Sequence, residues 1–180
     1  MNDDDLDVAR AAVVREHMES ENRHEFDATI ETFSHPRYEL VATGEVFDGE
    51  ADVRRYYAET RTAFPDQRNR LLALHPSDDS VIVEFMLEGT HLGPLRGLPA
   101  TGRAFSAQVS AVFYFGTGSD RILCERVYFD AATILRQLGL ATDPRSRRGR
   151  IETALTHPVT IGRALLGRVL KRPPSRAVRR

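Results

Sequence analysis

One carboxylate lies where a strand pattern changes into a helix pattern. Residues 125–139 read E-R-V-Y-F-D-A-A-T-I-L-R-Q-L-G, with β-branched and aromatic residues before Asp130 and apolar residues at helical spacing after it. An aspartate at this corner can cap the helix, because its side chain accepts hydrogen bonds from the free amides of the first turn. If the carboxyl group is also partly withdrawn from water, its pKa rises toward the range that a general acid or base needs. Both interpretations of Asp130 fit the sequence.

The strand before Asp130 adds two side chains that could assist it. Because side chains alternate along a strand, Arg126 and Tyr128 share the face of Asp130. Arg126 could orient the carboxylate or bind a substrate oxygen, and an ion pair at the surface is the alternative. Tyr128 is a candidate ligand-binding residue.

Other strands offer polar residues that could contact a ligand. Gln108 lies between Ala107 and Val109 in an apolar strand, where a buried amide needs a hydrogen-bond partner and a ligand is one candidate. Weaker candidates, for which a solvated or sheet-edge position is the alternative, are Tyr38, Glu84 and Glu88.

The spacing of residues speaks against several other kinds of site. The six histidines are scattered, no H-x-x-x-H pattern occurs, and Cys124 is the single cysteine, so we expect no metal. No G-x-x-x-x-G-K-[ST] motif is present to bind phosphates. Gly93, Gly97 and Gly102 lie in a loop between strands and do not open a helix, which argues against a dinucleotide fingerprint. We therefore expect no cofactor.

Charge divides the chain into two parts. Residues 1–140 carry 14 basic and 24 acidic side chains, a net charge of −10, whereas residues 141–180 carry 11 basic and 2 acidic ones, a net charge of +9. The acidic part lacks a basic and aromatic face, so we expect no nucleic-acid binding. The sequence predicts a domain over residues 1–140, followed by a basic linker and an amphipathic helical tail over residues 141–180.

The sequence also predicts where the protein is located. No apolar run reaches the roughly 18 residues that a membrane-spanning helix needs. The first residues are acidic and lack the apolar centre of a signal peptide. A single cysteine fits a reducing compartment. We therefore expect a cytoplasmic protein.

The order of the elements predicts an α+β fold, because helix patterns come first, strand patterns follow, and a helix closes the series. Residues 105–115 are apolar on both faces, and such a strand needs two covers. The helices supply one cover, and we expect a second subunit to supply the other in a homodimer. The first three predicted helices span residues 3–19, 22–33 and 53–64. The predicted strands span residues 38–42, 45–47, 68–74, 81–89, 105–115 and 121–129.

Three stretches carry a resemblance to a known family: residues 89–93 (G-T-H-L-G), residues 97–103 (G-L-P-A-T-G-R) and residues 125–139. With its elements in family order over about residues 24–140, the chain resembles the SnoaL-like polyketide cyclases. These belong to the nuclear-transport-factor-2-like, or ketosteroid-isomerase-like, superfamily. The resemblance implies a strongly curved, mostly antiparallel sheet wrapped on the N-terminal helices, which forms a cone-shaped pocket.

The resemblance also implies catalytic roles. In the family, an aspartate at the strand-to-helix corner is the acid/base for an aldol ring closure, and this role falls on Asp130. His91 occupies a loop position that lies near the pocket in relatives, so it could donate a proton to a developing enolate oxygen. A loop histidine bonded to the backbone is the alternative. Arg126, which strand alternation places beside Asp130, is the third residue of the predicted catalytic set.

The predicted function is a cofactor-independent acid/base enzyme that cyclises or isomerises an apolar, carbonyl-bearing small molecule. Three alternatives stay open: a non-catalytic module that binds an apolar ligand, an interaction protein, and an enzyme like the limonene-epoxide hydrolases. The last group needs an Asp-Arg-Asp arrangement. Arg126 and Asp130 could supply part of it, but no second aspartate lies in a central strand. Ketosteroid isomerase uses an aspartate on an early strand, where this chain offers Glu39.

The tail has a helix pattern over residues 158–171, with Pro158 at the first position. It lacks the Trp or Phe that anchors interfacial helices, and its charge is opposite to that of the rest of the chain. We therefore expect the tail to dock on protein, either its own chain or the dimer mate, and not on membrane. Its apolar stripe consists of Ile161, Leu165, Leu166 and Val169.

Overall fold

The computed structural model describes residues 3–170, and their side chains from residue 5 to residue 166. The chain forms two compact units, which divide between Leu140 and Ala141. The first unit contains helices and a sheet, and the second is helical.

Three helices precede or interrupt the first strands: α1 (Asp3–Arg23), α2 (Phe26–Glu31) and α3 (Glu50–Ala63). The break between α1 and α2 lies later in the chain than the sequence predicts, because α1 continues to Arg23. His24 then adopts a left-handed backbone with φ of 60°, a conformation that ends a helix. The buried face of α1 includes Val14, His17, Met18 and Glu21.

Six strands form one curved, open sheet in the order β2-β1-β6-β5-β4-β3. All neighbours are antiparallel except β1 and β6, which are parallel. The α+β fold and the mostly antiparallel sheet are therefore confirmed. The strands are β1 (Arg37–Leu40), β2 (Glu45–Asp48), β3 (Arg68–Ser77), β4 (Ser80–Thr90), β5 (Ala104–Phe115) and β6 (Ile122–Phe129).

The two faces of the sheet differ in burial. Along β5, every second residue from Phe105 to Phe115 is buried, while the residues between them are exposed or half-buried. On β6, Glu125 and Val127 are buried, whereas Arg126 and Tyr128 are more exposed. The buried set packs against the helices, so we call this side the inner face and the opposite side the outer face.

The chain leaves β6 through Asp130 and enters α4 (Ala131–Gln137). Gly139 follows with φ of 75°, which is the C′ position that the sequence predicts for it. Leu138 belongs to a second, smaller apolar cluster together with Ala63, Phe64 and Phe105. This cluster lies at the end of the sheet where β4 finishes and β5 begins.

The second unit contains α5 (Arg147–Thr156) and α6 (Pro158–Leu170). The sequence predicts only a linker before the last helix, but α5 begins within that stretch at Arg147. Ser146 caps this helix by accepting a hydrogen bond from the Gly149 amide at 2.9 Å. Helix α6 begins at Pro158, as predicted, while Lys171 and the side chain of Val169 lie outside the described residues. Over residues 3–170, no helix is both long and apolar enough to cross a membrane.

Candidate functional site

Polar side chains from five elements meet under the inner face of the sheet. Each of them is at most 9% exposed. Helix α1 contributes two of these residues, and β1, α3, β3 and β6 contribute one each. We call this set the interior polar cluster; it consists of His17, Glu21, Tyr38, Tyr57, Asn69 and Glu125.

The convergence follows from helical spacing and strand register. His17 and Glu21 lie one turn apart on α1, so they share its buried face. The parallel pairing of β1 with β6 places Tyr38 directly beside Glu125. Tyr57 reaches the same point from α3.

The Tyr38 hydroxyl is the centre of the cluster. Its oxygen lies 2.6 Å from the Tyr57 hydroxyl and 2.8 Å from His17 Nε2, and it donates to Glu21 Oε1 at 3.1 Å. Asn69 Nδ2 donates to the other oxygen of Glu21 at 2.6 Å. Burial raises the pKa of both tyrosines well above 10, so they remain neutral hydrogen-bond donors at physiological pH.

Both ring nitrogens of His17 make polar contacts. Nδ1 lies 2.8 Å from Thr32 Oγ1, and that hydroxyl donates its own proton to the Thr29 carbonyl oxygen at 2.6 Å. Thr32 therefore accepts from Nδ1–H, because a hydroxyl has one proton to donate. The other ring nitrogen, Nε2, faces Tyr38 and Glu125.

Glu125 is the carboxyl group of the cluster that lacks a complete set of partners. Its Oε2 lies 3.2 Å from His17 Nε2. This contact does not have hydrogen-bond geometry, and Oε2 has no other hydrogen-bond partner among the described residues. Burial raises the pKa of Glu125, while the neighbouring His17 opposes that rise. A buried carboxyl group with a raised pKa is a candidate for acid/base chemistry.

Asp130 is a helix cap in the structure. Its carboxylate accepts from the Thr133 amide at 3.1 Å and from the Thr133 hydroxyl. The side chain is 62% exposed, and the bonds from Thr133 lower the pKa of the carboxyl group. The interpretation with a raised pKa and a carboxyl group withdrawn from water is wrong, because Asp130 follows the last residue of β6 and its side chain stays in contact with water. A catalytic role for Asp130 remains a prediction without geometric support.

Arg126 and Tyr128 lie on the outer face, away from the interior polar cluster. Arg126 Nε donates to Glu39 Oε2 at 2.6 Å, and its NH1 group donates to the Tyr114 hydroxyl at 3.1 Å. The surface ion pair, which was the alternative interpretation of Arg126, is present. Tyr128 is 42% exposed.

The predicted ligand-binding residues Gln108 and Tyr38 lie on opposite faces of the sheet. Gln108 was expected to be a buried amide, but it lies exposed on the outer face and contacts Glu84 at 3.4 Å. This expectation is wrong because the inward positions of β5 are the odd-numbered ones. Tyr38, a weaker candidate by sequence, lies at the centre of the interior polar cluster.

His91 is fully buried beside the second apolar cluster. Its Nδ1 accepts from the Thr101 amide at 3.3 Å, so the bond to the backbone that the sequence left open is present. Its Nε2 has no partner among the described residues. The ring packs 5.3 Å from the Phe64 ring, near the end of β4. The predicted residues Asp130, His91 and Arg126 thus bond to three different sets of partners.

Sequence reasoning missed His17, Glu21, Tyr57 and Glu125. A weak signal existed for two of them. His17 falls on the apolar repeat of α1, and Glu125 occupies an inward position of β6. A charged or titratable residue at a buried position of a helix or strand is rare unless it is paired.

A cleft of about 330 Å³ lies next to a residue that contacts the cluster. Thr32, the partner of His17 Nδ1, forms part of its wall. The other residues that line it are Val13, Glu16, Ala28, Glu31, Asp120 and Arg121. As for metals, no group of three or more His, Cys, Asp or Glu side chains within the described range is arranged to hold an ion.

The curved open sheet packed on N-terminal helices defines the nuclear-transport-factor-2-like class of α+β proteins. The sequence profile of the SnoaL-like polyketide cyclases matches residues 11–138, and the chain belongs to this family. No curated protein sequence matches it. Family membership supports a function of the cyclase or isomerase type.

Solved structures show the same fold at low sequence identity. A proposed polyketide cyclase from Xanthomonas campestris has a TM-score of 0.67 and 18% identity, over 74% of this chain and 98% of that one. IdmH, a proposed polyketide cyclase from Streptomyces antibioticus, has a TM-score of 0.62 and 22% identity, over 72% and 98%. AclR, a proposed hydroxylase from Streptomyces galilaeus, has a TM-score of 0.63 and 21% identity, over 74% and 87%. The different activities proposed for these neighbours illustrate that the fold alone does not define the reaction.

Proposed function

We propose that the protein is a cofactor-independent acid/base enzyme that cyclises or isomerises an apolar, carbonyl-bearing small molecule. The neighbours described as polyketide cyclases support the substrate class. The observation that carries the proposal is the Glu125 carboxyl group, which is buried, has a raised pKa and leaves Oε2 without a hydrogen bond. Such a group at the centre of a fold is a candidate proton carrier.

The interior polar cluster provides the parts for proton abstraction next to a carbonyl group. Glu125 takes a proton from the carbon next to the substrate carbonyl. The electron pair moves onto the carbonyl oxygen, and a tyrosine hydroxyl stabilises the enolate by a hydrogen bond. The enolate carbon then takes the proton back at another position, which isomerises the substrate, or attacks a second carbonyl group, which closes a ring.

This function can be tested without knowledge of the natural substrate, because reversible proton abstraction exchanges hydrogen for deuterium. A panel of apolar 1,3-dicarbonyl compounds in D₂O is followed by proton NMR with and without the protein. We expect catalysed exchange with the wild type and a rate lower by about 10²–10⁴-fold in Glu125→Gln.

Two further variants separate the possible bases. Glu39→Gln removes a carboxylate from the outer face and should leave the exchange rate unchanged. Asp130→Asn tests the base that the sequence predicts, and loss of exchange in that variant with full activity in Glu125→Gln would assign the chemistry to Asp130 and overturn the proposal.

A non-catalytic binding module is the second candidate, favoured by one observation. The hydroxyl groups of Tyr38 and Tyr57 already bond to each other, which leaves fewer donors for a substrate oxygen. Saturable binding of the same compounds without any deuterium exchange would support this candidate. The epoxide-hydrolase alternative lacks such support, because Arg126 pairs with Glu39 on the outer face.

A further inference from the structure

Arg61 is a buried cation without a carboxylate partner. It lies on α3 and is 9% exposed, and its Nε has no hydrogen-bond partner within the described part of the chain. No described residue forms an ion pair with it, and its guanidinium group lies over the Phe26 ring, 5.5 Å from the centroid.

Two other arginines of α3, unlike Arg61, have carboxylate partners. Arg54 donates to Glu50 at 2.8 Å and to Asp27 at 2.7 Å, and Arg55 donates to Asp52 at 2.8 Å. Those two arginines are partly exposed and paired, whereas Arg61 is buried and unpaired. Burial of an unpaired charge is strongly unfavourable, so a residue of this kind points to a ligand that supplies the opposite charge.

The position of Arg61 relates it to the interior polar cluster. It follows Tyr57 by one turn of α3, so both side chains project from the same face of the helix. The Phe26 ring stacks on the Tyr57 ring with centroids 4.5 Å apart. Phe26 therefore contacts Arg61 and a member of the cluster at once.

Phe26 also faces a cleft of about 500 Å³. Acidic residues on the rim of this cleft are paired, because Asp27 accepts from Arg54 and Glu25 accepts from Arg23. An anion would thus meet little repulsion there. The cleft is lined by His24, Glu25, Phe26, Asp27, Ala28 and Arg54.

We propose that Arg61 binds an oxyanion, a carboxylate or a phosphate, on a ligand that enters from this cleft past Phe26. Two or more guanidinium N–H groups can bond to such an anion, and a planar fork fits both anions. This proposal rests on the proposed function and adds that the ligand carries a negative charge. Its test measures binding and needs no turnover. A failure of anion binding would therefore leave the proposed catalytic function standing, and a failure of catalysis would leave anion binding standing.

Three eight-carbon probes test the proposal on the full-length protein: octanoate, octyl phosphate and the neutral octanamide. Binding is measured by calorimetry and by the rise in melting temperature, because a ligand that binds only the folded state stabilises it. We expect at least one anion to bind and octanamide to bind more weakly. Binding of octanoate alone identifies a carboxylate, and binding of octyl phosphate alone identifies a phosphate.

Arg61→Met should weaken anion binding by about 10- to 100-fold, because it removes charged hydrogen bonds. It should also raise the melting temperature of the ligand-free protein, because it removes an unpaired buried charge. If Arg61 only stabilised the fold, Arg61→Met would instead lower the melting temperature. Arg55→Met, on the same helix, should change neither quantity.

Phe26→Ala keeps Arg61 and provides an independent test, because removal of the ring opens the path from the cleft. We expect this variant to bind the anion more tightly or faster than the wild type. The proposal is overturned if neither anion binds the wild type, if octanamide binds as well as the anions, or if Arg61→Met retains wild-type affinity. A ligand-free Arg61→Met that melts lower, with Phe26→Ala unchanged in binding, would also overturn it.

Discussion

Glu125 should make the stability of the protein depend on pH in an uncommon direction. Its pKa in the folded state is raised above the ordinary value of 4.5 by burial, so the folded state holds the proton more tightly than the unfolded chain. Stability therefore falls as pH rises from that value toward the folded pKa. Glu125→Gln stays neutral at every pH. We expect it to be more stable than the wild type at pH 7 and to lose that advantage near pH 4, in urea unfolding at a series of pH values.

Glu39 provides the matched control for this prediction. The hydrogen bond from Arg126 lowers the pKa of Glu39, so its contribution to stability is present above the ordinary pKa and is lost as pH falls. Glu39→Gln should therefore be less stable than the wild type at pH 7, with a difference that shrinks in acid. Equal pH profiles for the two variants would contradict the assignment of Glu125 as the carboxyl group with the raised pKa.

Asp130 should behave as a cap when it is replaced. Asp130→Ala removes the acceptor for the Thr133 amide, and we expect the melting temperature to fall by about 2–4 °C. The melting temperature of Asp130→Asn should fall less, because asparagine is also a good cap. Calorimetry of both variants checks this, and an unchanged melting temperature in Asp130→Ala would show that the cap contributes nothing.

At the scale of elements, Arg10 fixes α1 to two turns of the sheet. Its guanidinium group donates to the carbonyl oxygens of Asp78, Gly116 and Ser119 at 2.7, 2.9 and 3.0 Å. Arg10→Met would leave these carbonyl groups without their donors, and we expect a loss of about 2–4 kcal/mol in the free energy of unfolding. Urea unfolding measures this.

Arg15 lies on the exposed side of the same helix, so Arg15→Met is the matched control and should change stability by less than about 0.5 kcal/mol. Similar losses in both variants would mean that helix propensity or net charge, and not the bonds of Arg10, explains the effect. The position of α1 matters for function because this helix carries His17 and Glu21 into the interior.

At the scale of the whole molecule, the outer face of the sheet supports the prediction of a homodimer. Val112 and Tyr114 are half-buried there, and Ile82 and Tyr128 are exposed. Apolar side chains on an open sheet face need a cover. We expect light scattering at micromolar concentration to give twice the mass of the chain, and a monomer mass would contradict this. Tyr128→Lys should shift the equilibrium toward monomer.

The tail should bind protein and not lipid, because its charge of +9 is opposite to the −10 of residues 1–140. Co-sedimentation with anionic vesicles tests this, and we expect the full-length protein to remain in the supernatant. A chain that ends at Leu140 serves as the control. If the full-length protein pellets and the shorter chain does not, the tail is a membrane anchor. A cytoplasmic location remains a prediction as well, and fractionation of cells that express the protein would check it.

The sequence by itself determined the elements that local rules control. The strand pattern of residues 105–115 predicts β5, and Pro158 marks the start of α6. Asp130 and Gly139 mark the two ends of α4. Local rules missed α5, because its charged sequence contains no clear apolar repeat and only Ser146 signals its start.

The tertiary structure alone decided which polar residues meet. His17, Tyr38, Tyr57 and Glu125 are far apart in the sequence, and strand register and helix docking bring them into contact. Register also decides which face of a strand is buried, since a shift of one residue exchanges the two faces. For this reason Arg126, Tyr128 and Gln108 lie outside and Glu125 lies inside. The same sequence pattern allowed Asp130 to be a cap or a base, and only the tertiary structure shows that its carboxylate, directly after β6, is exposed to water.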